Sequence, residues 1–266
     1  MNTLNTITSR QNRRIVEARK LAEKKYRQQQ GRFLVEGVKL LEIALRAGAL
    51  PREVFVCSGQ VAGTAEALLD AMASAGAEMV TVSPDVMASL AEREAAEGLV
   101  ATFDLFETGL DELRLGAQTL VLVLDRLQDP GNLGTLIRTA DAVGAGAVVL
   151  VEPCVDPFDP KVVRGSMGSL FNVPIVRTSD VSGLFDWLRT HGLRSVGADA
   201  HRGVDWGEGL WSGGLALVLG NEARGLSADV AAQIDAWVKL PIAGKAESLN
   251  VAVAGGVLMY SWLRAN

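Results

Sequence analysis

The sequence predicts an α/β fold in which a small N-terminal α/β domain precedes a larger domain built on a parallel sheet. Two observations support this class. Strand and helix patterns alternate along the chain, and the later strands are nearly continuous apolar runs such as TLVLVL and LALVLG. Such runs are typical of parallel sheets that helices cover on both faces. The 266 residues, 48% hydrophobic and 21% charged, suit one large or two modest globular domains.

The chain begins with a strongly basic segment. Residues 1–32 hold nine Lys or Arg residues and two Glu residues, so this segment carries a charge of +7. The remaining residues must then carry −12 to give the net charge of −5. We assign residues 1–30 to a basic N-terminal arm. A basic arm on an acidic body suits a phosphate backbone, but a solvated helix with one charged face gives the same pattern.

After the arm, a small α/β domain is assigned to residues 31–104. Its strands are predicted at GRFLVEG, REVFVC, EMVTV and GLVATFD. Its helices are predicted at VKLLEIALRAG, at residues 61–75 and from Ser83 onward, where Ser83 suits the N-cap and Pro84 the first helical turn. Residues 105–118 are polar without a clear period, and we assign them to a linker.

The alternation resumes in a second domain, which we assign to residues 119–266. Its strands are predicted at residues 119–124, 147–151, 194–198, 215–220 and 236–240. Its helices are predicted at residues 133–143, 182–191, 227–234 and 249–263. Alternating strands and helices of this kind predict a parallel sheet with helical crossovers.

Several classes of protein are disfavoured. No apolar run reaches the ~18 residues of a membrane span, and the polar N-terminus lacks the apolar core of a secretory signal. Cys57 and Cys154 lie far apart, which favours free thiols in a reducing compartment. The two histidines, His191 and His201, are too few for a metal site, and surface positions suit both. These features predict a cytoplasmic protein with no membrane segment and no metal.

Three apolar strands of the second domain run into polar loops that precede helices. LVLVLD leads into RLQDPGN, LALVLG into NEARGLS, and AWVKLP into IAGKAESLN. In open parallel sheets, ligands bind beyond the carboxyl ends of the strands, because backbone groups and helix N-termini converge there. The three loops therefore predict one composite site.

The first loop places Asn132 and Arg138 near a helix start. Asn is a preferred N-cap residue, so capping alone explains Asn132. The guanidinium of Arg138 can lean back toward the loop, because helical side chains point toward the N-terminus. Alternatively, Arg138 is solvated or pairs with Asp141. A cation near a helix N-terminus is unfavourable with the helix dipole, which favours an acidic ligand such as a phosphate beside it.

The second and third loops contribute Glu222, Ser248 and Asn250. Glu222 suits the orientation of a substrate hydroxyl or amine, but an ion pair with Arg224 explains it equally. Ser248 suits the N-cap of the last helix as well as a binding role. The VAVAGG stretch that follows is rich in small residues, which permits very close packing against a neighbouring element.

Three familiar motifs are absent. GAGAVV at residues 144–149 lacks the third glycine of a dinucleotide-binding fingerprint and lies between a helix and a strand, the reverse of the required order. GKA at residues 244–246 lacks the first glycine and the hydroxyl residue of a P-loop. RGSMG has Arg164 where a serine-hydrolase elbow needs glycine.

Ordered motifs resemble those of the SpoU, or TrmH-like, family of RNA 2′-O-ribose methyltransferases. DRLQDPGNLGTLIRTADAVGAGAVVL resembles the first motif, LALVLGNEARGLS the second and VKLPIAGKAESLNVAVAGGVLMY the third. RGSMGSLFNVPI resembles the segment between them. GRFLVEGVKLL is similar to the start of the ribosomal-protein-like substrate-binding domain that precedes many such catalytic domains. The resemblance covers about residues 10–262.

This resemblance implies S-adenosyl-L-methionine as the cofactor, a trefoil knot of the SPOUT class in the catalytic domain, and a homodimer with active sites near the interface. The implied catalytic set is Asn132, Arg138, Glu222, Ser248 and Asn250. The implied cofactor-binding set is Leu219, Gly220, Leu240, Ile242 and Leu249. The RNA-contacting set is Arg10, Arg13, Arg14, Lys24, Lys25, Arg32, Arg164 and Ser166, of which the last two would face the RNA or brace the site.

The implied reaction is methylation of a ribose 2′-hydroxyl in RNA, in which alignment of the reacting groups supplies much of the rate. Arg138 has two open roles: a general base, or an anchor that holds the adjacent phosphate and stabilises the developing alkoxide. The second role is favoured here because guanidinium groups stay protonated in proteins.

Ribosomal RNA of the large subunit is the favoured substrate, because minimal tRNA-modifying relatives usually lack an N-terminal domain. The alternatives are a tRNA 2′-O-methyltransferase and a non-catalytic RNA-binding relative. The latter would be expected to lose Arg138, Glu222 or Asn250, and all are present.

Overall fold

The computed structural model describes residues 6–61, 65–91, 98–206 and 209–266. The chain divides into two compact units, each made of two segments. The first unit is Met1–Phe106 with Phe158–Phe171, and the second is Glu107–Pro157 with Asn172–Asn266. The predicted domains are consecutive along the chain, whereas the first unit includes a short segment from the middle of the predicted catalytic domain.

Helices and strands alternate through most of the described chain. The strands are β1 (Arg32–Glu36), β2 (Glu53–Val56), β3 (Glu78–Thr81), β4 (Leu99–Asp104), β5 (Leu120–Asp125), β6 (Ala147–Val151), β7 (Ile175–Thr178), β8 (Arg194–Ala198), β9 (Val204–Asp205), β10 (Leu215–Leu219) and β11 (Ala236–Lys239). The helices are α1 (Arg13–Lys20), α2 (Lys24–Gln30), α3 (Val38–Arg46), α4 (Glu66–Ser74), α5 (Pro84–Leu90), α6 (Pro130–Ala142), α7 (Pro160–Gly165), α8 (Val181–Thr190), α9 (Ala228–Ala231) and α10 (Val251–Ala265).

The first unit contains a mixed sheet in the order β1-β4-β2-β3. β4 is antiparallel to β1 and β2, whereas β2 and β3 are parallel. All four strands coincide with the predicted ones. Ser83 accepts a hydrogen bond from the amide of Val86 at 3.4 Å and Pro84 opens α5, so the predicted start of this helix is confirmed. Residues 62–64 of the predicted helix over 61–75 lie outside the described residues.

The basic segment packs into the first unit and does not form a separate arm. α1 buries Ile15 and Ala18 in a core cluster that also contains residues of β2 and α5. Arg27 is 2% exposed, and its guanidinium donates to the carbonyls of Leu21 and Ala22 at 2.9 Å each. The structure therefore corrects the predicted arm over residues 1–30, of which 1–5 lie outside the described residues. Apolar residues at helical spacing anchor the segment, although its composition is dominated by charge.

Aromatic contacts explain why the segment Phe158–Phe171 belongs to the first unit. The ring centroids of Phe33 and Phe158 lie 4.8 Å apart, and those of Phe103 and Phe171 lie 5.2 Å apart. Phe106 packs edge-on against Phe158 at 5.1 Å. Such pairs contribute about 0.5–1.5 kcal/mol each beyond the burial of their area.

The second unit contains a parallel sheet in the order β7-β6-β5-β10-β8-β11-β9. All the paired strands run parallel, which confirms the predicted fold class. β5 and β10 are neighbours, with Leu124 opposite Leu219, and both strands are buried along their whole length. Their carboxyl ends, and hence the loops that follow them, lie side by side. The sequence did not predict β7 and β9, which have only four and two residues.

Several predicted boundaries of the second unit shift. α6 begins at Pro130, three residues earlier than predicted, and α9 is confined to Ala228–Ala231. The predicted linker is partly structured, because Leu113 is buried in the core of this unit and Leu110 and Leu115 pack against that core. Among the described residues, every helix is too short or too polar to cross a bilayer.

Candidate active site

The three polar loops meet at the carboxyl edge of the parallel sheet through the side chain of Asn132. Its Nδ2 donates to Oε1 of Glu222 at 3.0 Å, and its Oδ1 accepts from Nδ2 of Asn250 at 2.9 Å. The three residues come from the loops after β5, β10 and β11. The structure thus brings together three of the five predicted catalytic residues by direct hydrogen bonds.

The carboxylate of Glu222 also receives backbone donors. The amides of Gln128 and Asp129 donate to its two oxygens at 3.4 and 3.2 Å. These contacts hold Glu222 near the N-terminal end of α6, where a negative charge is stabilised by the helix dipole. The alternative of an ion pair between Glu222 and Arg224 is not formed in the described part of the chain.

Asn132 is not the N-cap of α6, and this corrects the simpler interpretation of its role. Asp129 caps the helix, because its Oδ1 accepts from the amide of Asn132 at 2.7 Å and Pro130 takes the first helical position. Asp is as good an N-cap as Asn, and the Pro that follows fixes the start of the helix. The side chain of Asn132 is therefore available to Glu222 and Asn250.

Asn250, and not Ser248, is the N-cap of α10. Its Oδ1 accepts from the amides of Ala252 and Val253 at 2.9 and 3.3 Å, while its Nδ2 remains directed to Asn132. The side-chain amide of Asn250 therefore caps α10 and also takes part in the hydrogen-bonded junction of Asn132, Glu222 and Asn250. Ser248 lies two residues before the cap and lines the adjacent cavity.

Arg138 lies on the exposed side of α6, six residues beyond Asn132, or about 9 Å along the helix axis. The suggested pair with Asp141 is not formed in the described part of the chain, where Asp141 accepts from Nδ2 of Asn172 at 2.9 Å. Within the described ranges, Arg138 forms no hydrogen bond or ion pair and does not line the cavity. Its guanidinium is thus available to a ligand that approaches the exposed side of α6.

A cavity of about 520 Å³ lies beside this junction. All five residues of the predicted cofactor-binding set line it, together with Glu222, Ser248 and Asn250. Gly220 is required at its position, because a Cβ there would lie 2.2 Å from the carbonyl carbon of Gly225. This close approach shapes the turn between Asn221 and Gly225.

The cavity has a wall that the sequence did not predict. Asp199 and His201, in the loop after β8, line the cavity although they belong to none of the predicted motifs. Arg224 adds a cation to the lining. β8 is the other neighbour of β10, so its loop opens at the same edge of the sheet. The sequence feature that could have indicated this wall is the polar stretch DAHRG, which directly follows a predicted strand.

The predicted RNA-contacting residues of the first unit divide into a group that forms ion pairs and an exposed group that forms none in the described part of the chain. Arg10 pairs with Asp85, Arg14 with Glu53 and Glu78, and Arg32 with Glu53. The exposed group is Arg13, Lys24 and Lys25.

The structure places the two remaining members of that set differently. Arg164 is half-buried near the end of α7 and lines a small cavity of the first unit. Ser166 is fully buried, and its hydroxyl donates to the carbonyl of Val163 at 2.8 Å. Ser166 closes the end of α7 and is not exposed in this structure, which favours the second of its two predicted roles, bracing the site.

The cysteines and histidines do not form a metal site in the part of the chain that the structure describes. Cys57 and Cys154 are both buried free thiols. Burial raises the pKa of the Cys154 thiol to about 12. His191 and His201 are exposed, as predicted for both.

Comparison with known proteins places this site in a family. Residues 119–260 match the model of the SpoU rRNA methylase family, and residues 12–101 match an MRM3-like substrate-binding domain. The chain is 34% identical to the 23S rRNA (guanosine(2553)-2′-O)-methyltransferase RlmP of Bacillus subtilis, over 96% of this chain and 97% of the relative. It is 33% identical to the 23S rRNA (uridine(2479)-2′-O)-methyltransferase of Streptomyces viridochromogenes, over 92% of this chain and 86% of that enzyme.

Solved structures agree with this assignment. The AdoMet-bound rRNA methyltransferase of Sinorhizobium meliloti superimposes with a TM-score of 0.90 at 31% identity, covering 98% of this chain and 97% of that one. The SpoU methyltransferase AviRb of Streptomyces viridochromogenes, in complex with AdoMet, gives a TM-score of 0.88 at 31% identity, covering 96% and 98%. These matches show that the chain belongs to the SpoU rRNA methylase family.

Proposed function

We propose that this protein transfers a methyl group from S-adenosyl-L-methionine to a ribose 2′-hydroxyl of large-subunit ribosomal RNA. The observation that carries the proposal is the junction of Asn132, Glu222 and Asn250 at the mouth of the cavity. The two curated relatives named above are 23S rRNA 2′-O-methyltransferases that match along most of this chain. A ribosomal substrate also favours a cytoplasmic location.

The residues of the cavity fit the cofactor. Its volume of about 520 Å³ lies within the range of ~300–1,000 Å³ that is typical of small-molecule sites. Leu219, Leu240, Ile242 and Leu249 supply apolar surface for the adenosine, and the tight backbone at Gly220 offers peptide groups to its polar edges. When bound, S-adenosyl-L-methionine supplies an electrophilic methyl group on a sulfonium.

We assign distinct tasks to the polar residues. Asn132, held by Glu222 and Asn250, positions the ribose at the mouth of the cavity. Arg138 holds the neighbouring phosphate, because it is an exposed cation on the helix that carries Asn132. In this arrangement the ribose hydroxyl gives up its proton to that phosphate or to a water. The fixed charge of Arg138 stabilises the negative charge that develops on the oxygen.

The first unit is proposed to bind the ribosomal RNA. Its match to an MRM3-like substrate-binding domain begins at residue 12, so the helices of the basic segment belong to this unit. The exposed cations Arg13, Lys24 and Lys25 are the proposed phosphate contacts, since none of them has an ion-pair partner in the described part of the chain to lose on binding. The catalytic unit is proposed to be knotted, as the family resemblance implies.

A homodimer is proposed from an apolar stripe on α10. The stripe comprises Val253, Val257, Tyr260 and Leu263, whose exposed fractions lie between 38% and 55%. Their spacing of three and four residues places them on one face of the helix. Contiguous exposed apolar surface is typical of a protein interface. We assign a second copy of this chain as its partner because the family resemblance implies a dimer with active sites near the interface.

The proposed reaction is tested with purified protein, transcribed large-subunit rRNA and S-adenosyl-L-methionine carrying a labelled methyl group. We expect label in the RNA at a 2′-O-methylated nucleotide, which nucleoside mass spectrometry identifies. Arg138→Ala should abolish labelling and still bind the cofactor in calorimetry. Methylation of a base, preference for tRNA, or failure to bind the cofactor would each contradict a stated part of the proposal.

The role of Arg138 is tested separately with Arg138→Lys across the pH range. An anchoring cation predicts that the variant stays impaired at every pH, because lysine lacks the planar fork that holds a phosphate. Recovery of near-full activity as the lysine deprotonates would instead assign the general-base role to this position.

A further inference from the structure

A buried carboxylate ends β5, the strand that leads into the loop before α6. Asp125 is fully buried, and its Oδ2 accepts from the amide of Ser227 at 2.6 Å. Its Oδ1 has no hydrogen-bond partner in the described part of the chain, and the nearest cationic atom, Nε of Arg126, lies 3.7 Å away. Burying a charged group is costly unless it is fully satisfied. Asp125 is therefore held by one backbone hydrogen bond and by the ion pair with Arg126, while one of its buried oxygens has no donor among the described residues.

The neighbouring residue makes a second connection to the same loop. Arg126 adopts a left-handed backbone with φ of +55°, which is unfavourable for a residue with a side chain. In this conformation its carbonyl accepts from Nδ2 of Asn221 at 2.9 Å. Its guanidinium pairs with Asp229 at 3.2 Å, just beyond the end of the loop.

These contacts secure the loop 221–227 at both ends. Asn221 precedes Glu222 directly, and Ser227 ends the loop five residues later. The loop between them carries Glu222, whose carboxylate meets the amides of Gln128 and Asp129 on the segment that follows Asp125. The contacts of Asp125 and Arg126 at the end of β5 therefore set the distance between the two loops.

We propose that Asp125 is a positioning residue for the methyl transfer, acting through Glu222. Its carboxylate holds the loop 221–227 against the loop after β5, so that Glu222 is placed to orient Asn132. This inference rests on the proposed function of the site. A displacement of a catalytic group by about 1 Å can lower a rate about 100-fold, so a positioning residue that does not touch the substrate can still control the rate.

The test compares Asp125→Ala and Asp125→Asn with Asp235→Ala, a control at an exposed carboxylate of the same unit. Asp235 likewise accepts a hydrogen bond from a backbone amide, that of Ser195, at 2.8 Å, but near the amino end of β8. In single turnovers with saturating RNA and cofactor, we expect Asp125→Ala to lower the rate about 10- to 100-fold. Asp125→Asn should recover part of it, because its amide oxygen can still accept from Ser227.

The control and the RNA affinity separate positioning from a general loss of structure. Asp235→Ala should change the rate by no more than about twofold, even if its melting temperature falls as far as that of Asp125→Ala. The KM for RNA should stay unchanged in Asp125→Ala. Combined with Glu222→Gln, the alanine at 125 should add no further loss, because both changes disable the same contact.

An activity-independent readout is amide hydrogen exchange at Gln128 and Asp129, whose amides donate to Glu222. We expect faster exchange in Asp125→Ala and no change in Asp235→Ala. Unchanged exchange in Asp125→Ala, equal rate losses in both variants, or multiplicative losses with Glu222→Gln would each overturn the inference. If the wild-type protein methylates no RNA, the proposed function fails, while the exchange experiment still decides whether Asp125 positions the loop.

Discussion

Nδ2 of Asn132 lies 3.0 Å from Oε1 of Glu222, and this contact joins two loops that are 90 residues apart in the sequence. The contact also determines which way the amide of Asn132 points. Because a carboxylate only accepts hydrogen bonds, the NH₂ group must face Glu222, and the oxygen is left to accept from Asn250. One amide thus fixes the relative positions of three loops.

Replacing Asn132 with Asp should make activity depend on pH in a new way. Two carboxylates at this distance resist simultaneous ionisation, so one of them binds a proton with a raised pKa. At acidic pH the protonated carboxyl can donate the hydrogen bond that Nδ2 supplied, and as pH rises the proton is lost and repulsion appears. We expect the rate of Asn132→Asp, relative to wild type at the same pH, to fall from about pH 5 to pH 9.

The control for this experiment is Asn132→Ala, which removes the donor without adding a charge. Its rate should be about 10- to 100-fold below wild type, because the change removes the hydrogen bonds to Glu222 and from Asn250, and the ratio should not vary with pH. A ratio for Asn132→Asp that also stays constant with pH would contradict the predicted contact with Glu222.

The sequence was sufficient to predict the composite site, because the carboxyl ends of parallel strands must share one edge of a sheet. It could not identify the helix caps correctly. Asp129 and Asn132 are both good N-cap residues three positions apart, as are Ser248 and Asn250 two apart, and only tertiary contacts select between them. The cap at Asp129 leaves Asn132 free to bridge the loops, and the cap at Asn250 still donates its Nδ2 to Asn132.

The composition of the first unit was less informative than its three-dimensional contacts. Net charge suggested an arm, but Ile15 is buried in the core of the unit. Phe158 and Phe171 belong to this unit because they contact Phe33 and Phe103. These partners are distant in the sequence, and no local sequence pattern encodes such contacts. Strands β7 and β9 were missed because runs this short carry little periodicity.

Close packing of α10 on α6 predicts opposite effects at two adjacent glycines. A Cβ at Gly255 would lie 2.6 Å from Cδ2 of Leu136 and 2.7 Å from Cδ1 of Leu219. Gly255→Ala should therefore lower the free energy of unfolding by about 1–3 kcal/mol. At Gly256 the nearest atom, Cγ2 of Thr139, is 3.9 Å away, so Gly256→Ala should be neutral or stabilise the helix by up to about 1 kcal/mol.

Urea unfolding of both variants at one protein concentration checks this prediction. Because Leu219 also lines the cavity, Gly255→Ala should weaken cofactor binding in calorimetry as well. Equal stability of the two alanine variants would show that α10 does not pack on α6 as described.

The apolar stripe of α10 predicts that a charge at its centre disrupts the proposed dimer. Tyr260 is 52% exposed, and in an interface a glutamate there would be buried without a partner. We expect Tyr260→Glu to sediment as a monomer in analytical ultracentrifugation at concentrations where the wild type is dimeric. Leu50→Glu, at a comparably exposed residue of the other unit, should leave the dimer intact. Dissociation in both variants, or in neither, would contradict an interface at the stripe.

Cys154 should resist alkylation in the native protein. Burial raises its pKa to about 12, so at pH 8 the thiol remains protonated, and only the thiolate reacts. Relative to an ordinary cysteine with a pKa of about 8.5, the thiolate fraction is lower by roughly three orders of magnitude. Peptide-resolved mass spectrometry after iodoacetamide treatment should show slow labelling in the native state and rapid labelling in denaturant. Equal rates in the two states would contradict the burial.

The division of the basic residues into exposed and paired groups predicts different effects on RNA binding. Lys24 is exposed, whereas the guanidinium of Arg32 donates to Glu53 at 3.1 Å. If Lys24 contacts a phosphate, Lys24→Gln should lower the slope of log K against log salt concentration by about 0.7–0.9, the contribution of one phosphate contact. Arg32→Gln should leave the slope nearly unchanged and mainly lower the melting temperature, because it deprives Glu53 of a partner.

Fluorescence anisotropy with labelled rRNA fragments between about 50 and 200 mM salt measures both slopes. Lys25→Gln is a second exposed variant and should lower the slope in the same direction as Lys24→Gln, since Lys25 is also an exposed cation of α2. A larger change of slope in Arg32→Gln than in either lysine variant would mean that the ion pair with Glu53 opens on binding. The RNA surface would then lie on the sheet side of the first unit, where β1 and β2 carry Arg32 and Glu53, and not on the exposed start of α2.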